Sequence, residues 1–230
     1  QSEVRNETGR VTKGAALALK SRALLYAASA LHNPDNDPTR WEAAAKAAYE
    51  VIAMGKYQLP KITADELYSD KGGHEVLKSK QLIFERRATG KTNDFESRNE
   101  PMGYESAEGG NTPTQNLVDA YELKDGTPFS WDNPVHVSNI YYDAEGKQTR
   151  DPRLYLNILT NGATWLKQTV ETFEGGKNKI LDGSTKTGYY LRKYMNPSVS
   201  LDPDKPNKLE HHYILFRYAE ILLNYAEAMN

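Results

Sequence analysis

Two alanine-rich segments separated by a proline-bearing loop constrain this chain more than anything else in it. In residues 13–31 the runs Ala15-Ala16-Leu17-Ala18-Leu19 and Ala23-Leu24-Leu25-Tyr26-Ala27-Ala28 are strong helix formers, with leucines recurring at 17, 24 and 31. Thr12 stands where an N-cap belongs, and Pro34 stops the helix from continuing. The loop that follows carries Asn, Asp and two prolines, which is turn chemistry. Thr39-Arg40-Trp41-Glu42 then has the pattern of a capping box opening a second helix. Ala44, Ala45, Ala48, Val51 and Ile52 share one face of it, and Gly55 sits at its C-terminal cap. Small residues along the seam let two helices approach closely, as in a stacked tetratricopeptide unit. The prediction is a mainly α fold with a TPR-like helical scaffold, its hairpin spanning residues 9–60.

Residues 61–206 change character and are expected to form an irregular, loop-rich insert with a few short strands. Thr63-Ala64-Asp65-Glu66 is a candidate helix cap, and Gln81-Leu82-Ile83-Phe84-Glu85 a short buried strand or helical turn. Thr112-Pro113-Thr114-Gln115 predicts a short helix over 113–121 with Thr112 as its cap. Residues 155–159 and 189–194 read as strands. Residues 88–111 are polar, with Phe95, Met102 and Tyr104 dotted through them, and an irregular stretch this long is usually functional. Residues 207–230 are expected to return as a scaffold helix that stops without a clear cap, so the chain reads as a fragment of something longer. Helices bracketing a loop-rich middle imply a rigid frame that presents binding loops.

Composition narrows the chemistry. The net charge of -2 and the lack of any basic run longer than two residues argue against nucleic acid. With no cysteine, disulfides, thiolate metal sites and a Cys nucleophile are out. The longest apolar run, residues 23–28, is far too short to span a membrane. Gly90-Lys91-Thr92 fails as a phosphate loop because Glu85 stands where the first glycine belongs. His211 and His212 are adjacent and would diverge on a helix, and Asp35-Asn36-Asp37 lacks the glycine and distal Glu of a calcium loop. No Gly-x-Ser-x-Gly elbow occurs. No enzyme activity, cofactor or metal is expected.

Six blocks in order resemble the SusD/RagB family of outer-membrane nutrient-binding lipoproteins of Bacteroidetes. They are GRVTKGAALALKSRALLYAA (9–28), WEAAAKAAYEVIAMGKYQL (41–59), PTQNLVDAYELKDG (113–126), RDPRL (150–154), GYYLRKYM (188–195) and ILFRYAEILLNYAEA (214–228). The resemblance implies a surface-exposed protein held on the outer membrane by an N-terminal lipid anchor that this chain does not include. It also implies a SusC-like TonB-dependent transporter as partner, and an oligosaccharide or other nutrient held by inserted loops while the helices face the transporter. A TPR-like protein-interaction adaptor without glycan binding, and a glycoside hydrolase with a helical core, are the alternatives.

A pyranose has an apolar C–H face and a rim of hydroxyls, so it is held by aromatic rings flanked by hydrogen-bonding side chains. Tyrosine outnumbers phenylalanine by 15 to 5, as suits rings with one end in water. The expected site has a glycan lying across Tyr104, Trp131 and Tyr141 or Tyr142. Arg98 and Asn99 lie upstream of Tyr104, and Phe95 is a further candidate. Trp41 and Trp165 are assigned structural roles.

Overall fold

A computed structural model describes residues 10–59, 80–181 and 184–230. The described residues fall into two compact units, one of residues 10–59, 80–90 and 210–230 and one of residues 91–209. The proposed cap at residues 63–66 lies outside the described residues.

The first unit is helical. Helix α1 (Lys13–Ala28) starts where Thr12 accepts from the Ala15 N–H. Helix α2 (Pro38–Ala53) begins earlier than its capping-box pattern predicts. Asp37 is the cap, its carboxylate accepting from both the Thr39 N–H and hydroxyl, with Pro38 at the first helical position. An anionic cap beside a proline displaces the weaker Thr39 signal. Gly55 ends α2 with φ of +62°, as the sequence predicts. Ala15, Ala18, Ala28, Ala44, Ala45, Ala47 and Ala48 are all buried, so the seam is made of alanines. Leu17 and Leu24 only flank it, and Leu31 is exposed.

Residues 207–230 depart from the single helix expected. Strand β6 (Leu209–Arg217) pairs with β1 (Leu82–Thr92), and only then does the last helix, Tyr218–Met229, begin. The β-branched and aromatic run Tyr213-Ile214-Leu215-Phe216 favours the extended form. Phe216 and Ile83 meet Ala18, Val51 and Ile221 in one core cluster. Arg22 on α1 forms a bidentate pair with Glu220 at 2.6 Å, donates to the Leu215 carbonyl at 2.8 Å and lies over the Phe216 ring. A Cβ on Gly14 would collide with the Tyr57 hydroxyl, so α1 needs a glycine there for Tyr57 to pack.

The second unit holds helices α3 (Asp94–Asn99), α4 (Gln115–Asp119), α5 (Pro134–Ser138) and α6 (Pro152–Asn157). In chain order the last helix of the first unit is therefore α7. Short strands β2 (Ile158–Leu159) and β5 (Tyr190–Leu191) pair antiparallel, as do β3 (Thr164–Trp165) and β4 (Gln168–Thr169). Four expectations shift. Residues 88–111 are not one irregular stretch but the end of β1, then α3, then a loop tied back by Gly109 and Gly110 N–H groups to the Glu100 and Arg98 carbonyls. Helix α4 is capped by Thr114, not Thr112. Residues 155–157 are helical because Asp151 caps the Arg153 N–H and Pro152 opens α6, leaving only Ile158 and Leu159 as strand. Likewise only Tyr190 and Leu191 of the predicted 189–194 strand are paired.

Candidate functional site

The second unit contains a cavity of about 670 Å³, within the range of roughly 300–1,000 Å³ usual for small-ligand sites. Its walls come from a hairpin at 141–149, helix α6, strand β2, the turn into β3 and the residue after β5. Residues 141–149 fold back on themselves: Asp143 N–H donates to the Lys147 carbonyl, Thr149 N–H to the Tyr141 carbonyl, and Tyr142 faces Gln148 across an antiparallel bridge. Neighbours in an extended segment point to opposite sides, which separates two adjacent tyrosines. Tyr141 turns inward, and Tyr142 turns to the cavity.

Tyr155 forms the adjoining wall, its ring 5.5 Å from that of Tyr142 and inclined at 47°. Its hydroxyl accepts from the Thr149 and Arg150 N–H groups at 3.2 and 3.1 Å and donates to the Tyr141 carbonyl. A phenol oxygen offers one donor and two acceptor positions, so the full capacity of this one is committed to backbone. What Tyr155 can still offer a ligand is its apolar ring, held at a fixed angle.

Gly162 lines the cavity with φ of +83°, and a Cβ there would stand 3.4 Å from the Tyr142 ring. Gly162→Ala is therefore expected to strain the backbone by about 1–2 kcal/mol and to weaken any ligand held against Tyr142. Urea denaturation together with binding assays checks both effects, and an unchanged midpoint would refute the strain.

Gln148, Thr164 and Arg192 are among the residues that line it. The Arg192 N–H donates to the Asn157 carbonyl at 2.9 Å, and its guanidinium carbon lies 5.2 Å from the centre of the buried Trp165 ring. A smaller hollow of about 310 Å³, lined by His136, Asn139 and Asp143 among others, shares Gln148 with the first.

Trp131 is 49% exposed yet held on two sides. The Phe129 ring meets it edge-on at 5.1 Å, and its indole N–H donates to Asp119 at 3.1 Å. Asp119 accepts in turn from Gln115, Gln115 from the Tyr189 hydroxyl, and Tyr189 is paired with Tyr141 at 2.6 Å. This relay joins an exposed ring to the buried cluster of Val118, Tyr141, Leu154, Ile158 and Tyr189. The flanking Asp132 and Asn133 do not orient the indole; Asn133 instead caps α5.

The remaining residues expected at the site are elsewhere. Tyr104 is buried in a different cluster with Trp165, Tyr190 and Met195, and its hydroxyl donates to the Trp165 carbonyl at 3.2 Å. Burial pushes that phenol up to about 12. Phe95 packs against the same cluster. Asn99 is buried and ties Asn111 to the carbonyl of Phe95, which makes it a strut inside its loop. Arg98 is exposed, with its carbonyl closing the loop to Gly110. Tyr141 is buried, and burial followed by the Tyr189 bond raises its phenol far above the ordinary range. Of the expected array of Tyr104, Trp131 and Tyr141 or Tyr142, the Tyr104 and Tyr141 rings are drawn inward by apolar clusters, while Trp131 is exposed and Tyr142 lines the cavity. Tyr155, Gln148, Gly162 and Arg192 were not anticipated. The asparagine-glycine turn at 161–162 and the alternation of Tyr190-Leu191-Arg192 were the available signals. Trp41 and Trp165 are structural as predicted: Trp41 packs on the helical hairpin, and Trp165 is 3% exposed.

Residues 80–230 match the model of the SusD family, which is well over half of the chain. The chain belongs to the SusD family. A SusD-like protein from Bacteroides fragilis NCTC 9343 is 30% identical, with a TM-score of 0.69 over 99% of this chain and 45% of its own. A protein crystallised with a xylogluco-oligosaccharide shares the fold at 17% identity and a TM-score of 0.58, over 100% of this chain and 41% of its own. The SusD-family chain described here thus spans less than half the length of these solved relatives. A comparison with curated proteins returned no match. Among the described residues, no helix is long and apolar enough to cross a membrane, and no group of three or more His, Cys, Asp or Glu is placed to hold a metal ion.

Proposed function

We propose that this chain is part of a non-enzymatic glycan-capture protein, and that the Tyr142–Tyr155 cavity and the Trp131 ring are its sugar-binding surface. The observation that carries this reading is a cavity walled by two inclined tyrosine rings, with Gln148 and Arg192 in its lining, in a SusD-family chain. Two fixed ring faces cover the C–H faces of a pyranose, and Gln148 and Arg192 reach its hydroxyls. A fold relative crystallised with a xylogluco-oligosaccharide makes an oligosaccharide the first ligand class to try. In the same reading the intact protein is lipid-anchored at the outer-membrane surface and hands its cargo to a SusC-like TonB-dependent transporter. The α1–α2 hairpin is then a TPR-like element of the scaffold facing that partner.

Tyr142→Ala and Trp131→Ala are each expected to weaken retention on the cognate polysaccharide at least about tenfold, the loss of one central aromatic contact. Affinity electrophoresis against a polysaccharide panel, with circular dichroism to verify folding, tests this. Undiminished retention in the folded double variant would remove both rings from the site. Turnover of the bound glycan would contradict the non-enzymatic assignment. Recovery of a TonB-dependent barrel with the full-length protein from outer-membrane extracts tests the partner.

A further inference from the structure

Gln148 belongs to two hollows at once. It lines the cavity walled by Tyr142 and Tyr155, and it lines the smaller hollow of about 310 Å³. Its place follows from the hairpin. Residues 142 and 148 face each other between two bonds, from the Asp143 N–H to the Lys147 carbonyl and from the Thr149 N–H to the Tyr141 carbonyl. That makes them a non-hydrogen-bonded pair, whose side chains stand on the same side of the ribbon and close together. The Gln148 amide is therefore set beside the Tyr142 ring, where the two hollows meet. It is exposed and makes no hydrogen bond with any described residue, so its two donors and its acceptor are open to a ligand.

The two hollows differ in chemistry. Tyrosine rings wall the first, whereas the described lining of the second holds no Tyr, Trp or Phe. The second combines Leu123 and Val135 with oxygen acceptors that the fold leaves open. Asp143 Oδ1 takes the Glu145 and Lys147 N–H groups at 3.0 and 2.8 Å, which holds the carboxylate in place and leaves Oδ2 without a donor. Asn139 donates through Nδ2 to the Val135 carbonyl at 3.1 Å and the Ser138 hydroxyl at 3.3 Å, which leaves its Oδ1 open. Open acceptors beside apolar side chains suit a ligand that brings hydroxyl donors on a carbon frame. The volume lies within the range of small-ligand sites.

We propose that the smaller hollow is a second sugar subsite, and that the ligand is an oligosaccharide of two or more units laid across Gln148. The inference rests on the glycan-binding reading above and extends it to the length of the ligand. One unit lies against the Tyr142 and Tyr155 rings. The next gives its hydroxyls to Asp143 and Asn139, and the Gln148 amide bonds at the linkage between them. Bonds from hydroxyls to a carboxylate are roughly twice as strong as neutral ones, so the second unit adds a large share of the affinity.

The test is calorimetric titration of the full-length protein with cello-, malto-, xylo- and manno-oligosaccharides, each series running from one unit to six. In the series that binds, affinity is expected to rise at least about tenfold from one unit to three, the worth of one added charge-assisted contact, and then to level off. Asp143→Asn keeps an oxygen for the two backbone bonds but replaces the open one with a donor, and is expected to reduce that gain to about threefold or less. Val135→Trp fills the hollow from a residue 64% exposed and is expected to do the same. Circular dichroism verifies that both variants fold. Equal affinity at every length, or a gain that persists undiminished in either folded variant, would overturn the inference and leave the glycan reading standing. Failure of every series at every length would overturn both.

Discussion

Replacing Arg150 by methionine is expected to destabilise the second unit by about 2–4 kcal/mol. Arg150 has no exposed surface and no carboxylate partner in hydrogen-bond contact. Its guanidinium donates instead to the Val118 and Tyr121 carbonyls at 2.9 and 2.5 Å and lies 4.1 Å from the centre of the Phe129 ring. Burial lowers its pKa, opposed by the nearby tyrosines and Asp119. Burying a cation is unfavourable, and its Nε finds no partner, so removing the charge recovers some free energy. Methionine cannot donate, however, and two backbone carbonyls lose their bonds in the interior, at roughly 1–3 kcal/mol each. The second effect is the larger, so the net change is a loss. Guanidinium denaturation of the folded variant measures it. A difference below about 1 kcal/mol would mean that water enters and replaces the guanidinium. Because Phe129 supports Trp131, glycan retention should fall along with stability.

Glu100 should make the protein less stable as pH rises from about 4.5 to about 7, and Glu100→Gln should remove that dependence. Its carboxyl is buried and pushed up to about 7, chiefly by loss of hydration and then by the charge of Glu96, with the Trp165 indole opposing in part. The folded state therefore holds a proton through a window in which the unfolded chain releases it. For an acid whose folded pKa is raised, the stabilisation is complete below the unfolded value of 4.5 and is lost as pH climbs toward 7. The loss should reach about 2–3 kcal/mol and then level off. At pH 8 the Gln variant, which never carries the buried charge, should be the more stable protein. Thermal unfolding of both proteins between pH 4 and pH 8 reads the difference directly. Parallel pH profiles for the two would show that water reaches Glu100 after all.

Local rules were enough for the elements whose determinants are neighbours in sequence. The alanine seam of α1 and α2, the Thr12 cap and the left-handed Gly55 are all set within a few residues of where they act. The errors occur where distant partners decide. The segment ahead of α7 takes the extended form because β1, more than a hundred residues earlier, is there to pair with it. Tyr155 is helical rather than extended because the Asp151 cap and Pro152 outweigh the strand preference of the apolar run after them. Of the aromatic residues in polar loops, Trp131 stands at the surface and Tyr142 lines the cavity. Sequence could not separate these from Tyr104 and Tyr141, since all four have similar neighbours. Which ring is buried depends on clusters assembled from residues up to about ninety positions away. Beyond the strand alternation, Arg192, directly after the two-residue strand β5, carries no signal in its neighbours of a place in the cavity lining.

The pairing of β1 with β6 has an evolutionary consequence. The chain leaves the helical unit at residues 90–91 and comes back at 209–210, from two strands bonded to each other. Exit and return thus run through one two-stranded sheet, and the excursion between them is a single insertion into the helical unit's chain. Lineages can lengthen, shorten or replace such an insertion without rethreading the helices. Sequence diversification should accordingly concentrate between those two strands, with the alanine seam changing more slowly.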